Sequence, residues 1–138
     1  MTSQLNVDTI VDKAGSGGTN VKIGNTSTYV SDGGAVTQNT VQGLAKAWVN
    51  FNGTGTIAIR DSFNVDSLTD GGTGNYDVNW TNNFGNTSYS LVGSDGNYGM
   101  TNTEPNTLST NEANMYSYNN SHALTDTHVV GNAQGDLA

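Results

Sequence analysis

The longest run of alternating apolar residues in this chain covers residues 47–65 and is interrupted by the single turn "NGTGT". The alternating positions are Ala47, Val49 and Phe51 before the turn, and Ile57, Ile59, Asp61, Phe63 and Val65 after it. Successive side chains of a β-strand point to opposite faces, so a period of two predicts half-buried strands. We expect Asp61 to share the apolar face, with Arg60 on the opposite one.

Further short segments with strand-like composition follow, separated by turns rich in Gly and Asn. They are "YDVNW" at 76–80, "SYSLVGS" at 88–94, "ANMYSYN" at 113–119 and "ALTDTHVVG" at 123–131, with a long polar loop from about Asn97 to Asn111. The only helical hint is "TQNTVQGLAKAW" at 37–48, which contains Gly43 and predicts one turn at most, or a short linker. The pattern predicts an all-β domain at 46–138, an antiparallel β-sandwich or small barrel.

Residues 1–45 contain too few apolar side chains to fold alone. We expect an extended N-terminal arm, either a flexible tail or an arm that interlocks with other copies of the chain or inserts into a partner. The candidate packing residues of this arm are Leu5, Val7, Ile10, Val21 and Ile23.

Composition excludes several classes of partner. Twelve acidic residues against four Lys and Arg give a formal net charge of −8, which repels a phosphate backbone and argues against nucleic acid.

No apolar run reaches the roughly 20 residues that cross a bilayer, and the N-terminal sequence lacks the pattern of a signal peptide. The chain has no cysteine, so no disulfide can stabilise it. Asn, Thr, Gly and Ser make up half of the residues, and we expect surface burial between copies to compensate for a small core.

No arrangement of residues predicts catalysis, a cofactor or a metal. Arg60 and Asp61 are neighbours on a strand and point to opposite faces, so a structural role is favoured over a reactive pair. His122 and His128 are about 20 Å apart along an extended strand, which prevents chelation by one chain; the alternative is an ion on a three-fold axis, ringed by histidines of three copies. We therefore expect a protein that is not an enzyme and has no cofactor.

Binding is the remaining possibility, and aromatic side chains among polar residues are its best candidates. Stacking on a ring combined with hydrogen bonds from Asn, Ser and Asp suits sugars. The candidate receptor-contact residues are Tyr98, Tyr116, Tyr118 and His122. Tyr116 and Tyr118 have the same parity on one strand, so the alternative is that both belong to the core.

The segment "AKAWVNFNGTGTIAIRDSFNVDSLTDGGTGNYDVNWTN", residues 45–82, resembles a recurring domain of tail fibre and related virion proteins of marine bacteriophages. The opening "SQLNVDTIVDKAGSGGTNVKIG" resembles the N-terminal arm of those proteins, and "MYSYNNSHALTDTHVVGNAQGDLA" resembles their ending. The resemblance is specific over 45–80 and looser over 93–112. Members of that family are often longer, with repeats or a shaft.

The resemblance implies a homotrimeric β-structured virion component, made in the host cytoplasm, with the arm toward the particle and the β-domain outward. Because this chain is a single short unit, the resemblance leaves open a complete short tail fibre, a spike or decoration on the capsid, or an adaptor. We expect a short tail fibre that contributes to host-surface attachment, with other virion proteins as partners through the arm and a host surface glycan as a possible receptor. The alternatives are a capsid decoration or head-spike protein and, less favoured, a polysaccharide depolymerase.

Overall fold

The computed structural model describes residues 28–30, 37–39, 43–96, 101–103 and 108–138. The chain divides into two units, Met1–Val41 and Gln42–Ala138. In the first unit, β1 (Thr28–Val30) pairs antiparallel with β2 (Thr37–Asn39). The predicted arm residues Leu5, Val7, Ile10, Val21 and Ile23 lie outside the described residues, so their packing stays a prediction.

The second unit contains eight strands in two antiparallel sheets. The strands are β3 (Ala47–Asn52), β4 (Ala58–Phe63), β5 (Val65–Gly72), β6 (Asn75–Trp80), β7 (Ser90–Asp95), β8 (Thr101–Thr103), β9 (Glu112–Ser117) and β10 (His128–Gln134). The first sheet has the order β4-β3-β10-β7, and the second has the order β5-β6-β9-β8. The predicted all-β fold is confirmed, and two separate antiparallel sheets are consistent with a β-sandwich.

The core lies between the two sheets because the alternating apolar positions of both turn inward. The buried apolar side chains are Ala47, Val49, Phe51, Leu91, Val129 and Ala133 on the first sheet, Tyr76, Val78, Trp80, Ala113 and Met115 on the second, and Phe84 and Tyr89 between strands. The rings of Phe51 and Tyr76 meet edge to face across the sheets, with centroids 5.0 Å apart. An ordinary two-layer packing of this kind is stabilised mainly by apolar burial.

Gly131 of β10 packs against Met115 of the second sheet. A Cβ at this position would lie 2.9 Å from Met115 Cε on the second sheet and 3.6 Å from Val49 Cγ1. Real Cβ atoms essentially never approach another heavy atom this closely, so only glycine fits here without a shift of Met115.

The chain changes sheets at Asn64, which corrects the prediction of one continuous strand through Val65. Asn64 adopts a left-handed backbone conformation with φ of 58°, a region that Asn enters more readily than most residues. Its Nδ2 donates to the carbonyl oxygens of Lys46 and Asn82 at 3.1 Å, and its Oδ1 accepts from Asn82 N at 2.7 Å. The Asn64 side chain therefore holds the corner between β4 and β5.

A β-bulge in β4 overturns a second prediction. The register pairs Ile59 with Phe51 and Asp61 with Asn50, so Arg60 is the extra residue. Ile59 faces the core, whereas Asp61 and Phe63 face outward and are exposed. The predicted single apolar face through Asp61 is therefore wrong, because a bulge moves every later side chain to the other face.

The structure describes two further segments that the sequence analysis singled out. In place of the helical hint, residues 37–39 form β2 and residues 43–46 form a turn before β3. Within the predicted loop from Asn97 to Asn111, β8 pairs with β9, while much of the rest lies outside the described residues. Among the described residues, no helix is long and apolar enough to cross a membrane.

Candidate functional site

The outer surface of the second sheet carries the two tyrosines that the sequence singled out. In β9 the side chains of Ala113, Met115 and Ser117 point into the core, so those of Asn114 and Tyr116 point outward. Tyr118 follows with the same parity and forms an isolated bridge to Leu124. Both tyrosines are half-buried rather than part of the core, which excludes the core alternative for them.

A polar network lies directly beside the tyrosines. In the register of the sheet, Asn75 is opposite Tyr116 and Asp77 is opposite Asn114. Asn114 Nδ2 donates to Asn75 Oδ1 at 2.7 Å and to Asp77 Oδ1 at 2.6 Å. A carboxylate only accepts hydrogen bonds, so Asp77 fixes the orientation of the Asn114 amide. We call Asn75, Asp77, Asn114, Tyr116 and Tyr118 the tyrosine face.

The two rings of the tyrosine face are neighbours. Their centroids are 6.4 Å apart and their planes are inclined by 36°. Within the described part of the chain, Asn114 Oδ1 is buried and has no hydrogen-bond partner. Asn114 therefore acts inside the face and orients Asn75 and Asp77. Two tilted aromatic rings beside an amide and a carboxylate that are held in place form the chemistry that stacks on a sugar ring and hydrogen-bonds to its hydroxyls.

His122 lies in the turn that follows Tyr118. The Asn119 Oδ1 accepts from the backbone N–H groups of Ser121 and Ala123 at 2.9 and 3.1 Å, and Asn119 O accepts from His122 N at 2.9 Å. These bonds hold His122 at φ of 58°, with its side chain exposed. The turn therefore places His122 at the surface within four residues of Tyr118. Tyr98, the remaining candidate, lies outside the described residues.

The two residue pairs considered for chemistry are not assembled into a reactive site. Asp61 Oδ1 accepts from Ser62 N at 2.9 Å, beside the bulge at Arg60. His128 is opposite Asn52 on the outer surface of the first sheet, whereas His122 is in a turn. A search of the described ranges finds no group of three or more His, Cys, Asp and Glu side chains able to hold a metal.

The outer surface of the first sheet is unlike the tyrosine face. Its exposed large apolar side chains are Trp48, Phe63, Val92 and Val130, which we call the apolar face. Trp48 is directly opposite Phe63 on one side and Asn132 on the other, and Asn132 is opposite Val92. A shallow depression of about 280 Å³ on this surface is lined by Val92, Ser94, Val130 and Asn132, with Gly93 and Gly131.

Sequence reasoning missed the Asn75, Asp77 and Asn114 network and the apolar face. A signal for the network exists in "NYDVNW" and "EANMYS", where every second residue is polar and alternates with a core residue. The same parity in "AWVNFN" places Trp48 outward, away from Ala47 and Val49. No local signal reveals Phe63, because its direction depends on the bulge.

The class that the structure defines is an all-β protein with two antiparallel four-stranded sheets, similar to a β-sandwich. Comparison with family models, with curated proteins and with solved structures gives no match.

Proposed function

We propose that this chain is a structural component of a phage virion, a short homotrimeric tail fibre that attaches to a host-surface glycan through the tyrosine face. The observation that carries the binding part is the outward presentation of Tyr116 and Tyr118 beside the Asn114 network. The resemblance of residues 45–82 to tail fibre domains supports the virion part. In this proposal the N-terminal arm joins the particle and the second unit points toward the host.

Charge narrows the class of glycan. Asp77 is in the network itself, and Glu112 projects from the same side of β9. Within a chain of formal charge −8, these carboxylates repel acidic polysaccharides and accept hydrogen bonds from hydroxyl groups. The tyrosine face is therefore suited to a neutral glycan.

The mechanism is contact without chemistry. Each site stacks one or two sugar rings and forms a few hydrogen bonds, which gives weak binding per chain. When three copies are held in one particle, binding of one site raises the effective concentration of the other two at the surface. Weak sites then give tight attachment without any new contact.

The glycan test compares neutral probes, namely dextran, mannan and chitin oligomers, with acidic alginate. Titrations are monitored through the tyrosine resonances of the full-length protein. We expect binding of at least one neutral probe and none of alginate, and Tyr116→Ala should weaken binding roughly tenfold, or about 1.4 kcal/mol.

Leu44→Ala is the matched control, because Leu44 is an exposed apolar residue in the turn before β3, outside both the tyrosine face and the outer surface of the first sheet. Its binding per chain should equal that of the wild type. An equal loss for both variants, or no neutral binding at all, would refute the glycan site.

Antibody labelling of imaged particles tests the virion part and separates it from a capsid decoration or head-spike protein. The proposal expects label at the tail. Label distributed over the capsid would support decoration instead, and particles without label would exclude a virion component.

A further inference from the structure

The apolar face is the most exposed apolar surface that the structure describes. The exposed fractions are 36% for Trp48, 54% for Phe63, 62% for Val92 and 45% for Val130. These side chains come from all four strands of the first sheet and project from one side of it. Exposed apolar side chains gathered on one surface of a sheet, interspersed with Asn side chains, favour an interaction surface.

The distribution of charge separates the two outer surfaces. On the second sheet, Asp77 and Glu112 share the outward parity of the tyrosine face, and β5 adds two exposed carboxylates, Asp66 at a register shift and Asp70 opposite Tyr76. The strands of the first sheet carry only one exposed carboxylate, Asp61, and it is next to Arg60; Asp95 is buried. His128 contributes an imidazole at one end of the surface. The apolar face is therefore close to electrically neutral, although the chain as a whole is strongly acidic.

We propose that the apolar face is where copies of this chain pack against one another, with a second copy as its occupant. Two acidic molecules repel at most relative orientations, and they approach at least cost where neither presents net charge. Arg60 beside Asp61 makes the rim self-complementary, because Arg60 of one copy can face Asp61 of the next. This inference rests on the homotrimer of the proposed function and names the surface that forms it.

The β4 edge of the first sheet disfavours the other mode of self-association, in which a second copy extends the sheet at that strand. Addition of a copy along β4 would require a regular edge strand, but β4 carries the bulge and the charged pair at Arg60 and Asp61. Bulges and charges are the features that prevent edge-to-edge pairing. Contact through the face is thus favoured over extension of the sheet.

The size of the face predicts how strong the contact is. Four strands at about 4.8 Å spacing and six residues at about 3.3 Å give roughly 400 Å² per copy. Two such faces bury about 800 Å² in total, below the roughly 1,200 Å² at which specific interfaces become stable. The contact therefore needs additional area from a third copy or from the first unit, and it dissociates on dilution.

The experiment uses the full-length chain and its two tryptophans. Trp48 is exposed and lies in the apolar face, whereas Trp80 is 6% exposed in the core. Native mass spectrometry and acrylamide quenching are measured over a dilution series. We expect a trimer at high concentration, with Trp48 shielded, and a quenchable Trp48 on dilution.

Val130→Lys places a charge in the middle of the face, and Ser67→Lys places the same charge at an exposed site on β5 as a control. Val130→Lys should raise the concentration at which half of the trimer dissociates at least roughly tenfold, since association would bury a lysine without a partner. Ser67→Lys should leave that concentration unchanged. If circular dichroism shows that Val130→Lys is unfolded, Val92→Lys takes its place, because Val92 is more exposed.

The proposal would be overturned by a wild-type protein that is monomeric, and whose Trp48 is accessible to acrylamide, at every concentration. It would also be overturned by a trimer whose mass and Trp48 shielding survive Val130→Lys and Val92→Lys, because the copies would then join elsewhere. Glycan binding per chain is measured in the same variants. If it is retained, failure of the proposed contact between copies leaves the proposed attachment function standing.

Discussion

At the scale of single residues, Asn64 stabilises the fold more than its place in a polar turn predicts. Its amide contacts the backbone of Lys46 at the start of the first sheet and of Asn82 after β6. Thr81 N also donates to Asn64 O at 3.2 Å. One side chain thus secures the point where the chain leaves one sheet and enters the other.

Asn64→Gly tests this role without adding backbone strain, since glycine accepts the positive φ. Loss of the amide leaves carbonyl groups without their donors, and we expect the free energy of unfolding to fall by about 1–3 kcal/mol in urea titrations. Asn83→Ala, at an exposed neighbouring position, should change it by less than about 0.5 kcal/mol. An equal, small effect of both variants would show that the corner does not depend on the amide.

Tyr89 is the second residue with a specific consequence. Its ring stacks on Phe84 at 4.0 Å, and its hydroxyl is 3.0 Å from the carbonyl oxygens of Ser109 and Glu112, to which it donates. Burial raises the pKa of Tyr89 above its usual 10.0; the Trp80 indole lowers that pKa, and the charge of Glu112 raises it.

This raised pKa predicts a loss of stability in alkali. Above about pH 10 the unfolded chain releases a phenol proton that the folded chain retains, so the free energy of unfolding falls as pH rises toward the folded-state pKa. Burial also raises the pKa of Tyr76, which adds to the same trend.

Tyr89→Phe should cost about 1 kcal/mol at neutral pH and make the alkaline decline shallower. Urea unfolding at a series of pH values measures both. A decline as steep as that of the wild type would contradict the assignment.

At the scale of elements, the sequence predicted what local alternation encodes. "YDVNW" became β6 with Tyr76, Val78 and Trp80 inward, and "ANMYSYN" became β9. Prediction from local alternation failed where a single residue changes the direction of the chain or of the side chains that follow. The bulge at Arg60 and the corner at Asn64 each depend on contacts with distant strands, which no local pattern reports.

The candidate site shows the same limit. Tyr116, Tyr118 and His122 could be chosen from residue type, and their surface position was found only in the fold. The partnership of Asn114 with Asn75 and Asp77 joins β9 to β6 across more than 35 residues of sequence, as non-local strand pairing requires.

Gly131 provides the test at this scale, because it lies in β10 directly against Met115 of β9. Gly131→Ala should lower the free energy of unfolding by about 1 kcal/mol or less, because the methyl group that must move is the end of the flexible Met115 side chain. Met115→Val removes the atoms in the way, so the double variant should be more stable than the sum of the single losses predicts. Gly85→Ala is the control, since its new Cβ would meet only ordinary contacts at 3.5 Å or more. If the losses of unfolding free energy in the two single variants simply add in the double variant, the predicted contact between position 131 and Met115 is contradicted.

At the scale of the whole molecule, the second unit has two outer surfaces with opposite properties. One is acidic and hydrogen-bonded, with two aromatic rings; the other is nearly neutral and apolar. In our account the first binds a neutral glycan and the second joins copies, so that association multiplies weak sites. The two surfaces should therefore be separable by substitution.

The most direct test of this division is the binding of the full-length chain to surfaces coated sparsely and densely with the neutral probe that it binds best. The wild type should bind the dense surface far more tightly than the sparse one. Val130→Lys should keep the sparse-surface affinity and lose the gain at high density, whereas Tyr116→Ala should weaken binding to both. Binding that both variants leave unchanged, or that both weaken equally at both densities, would contradict the account.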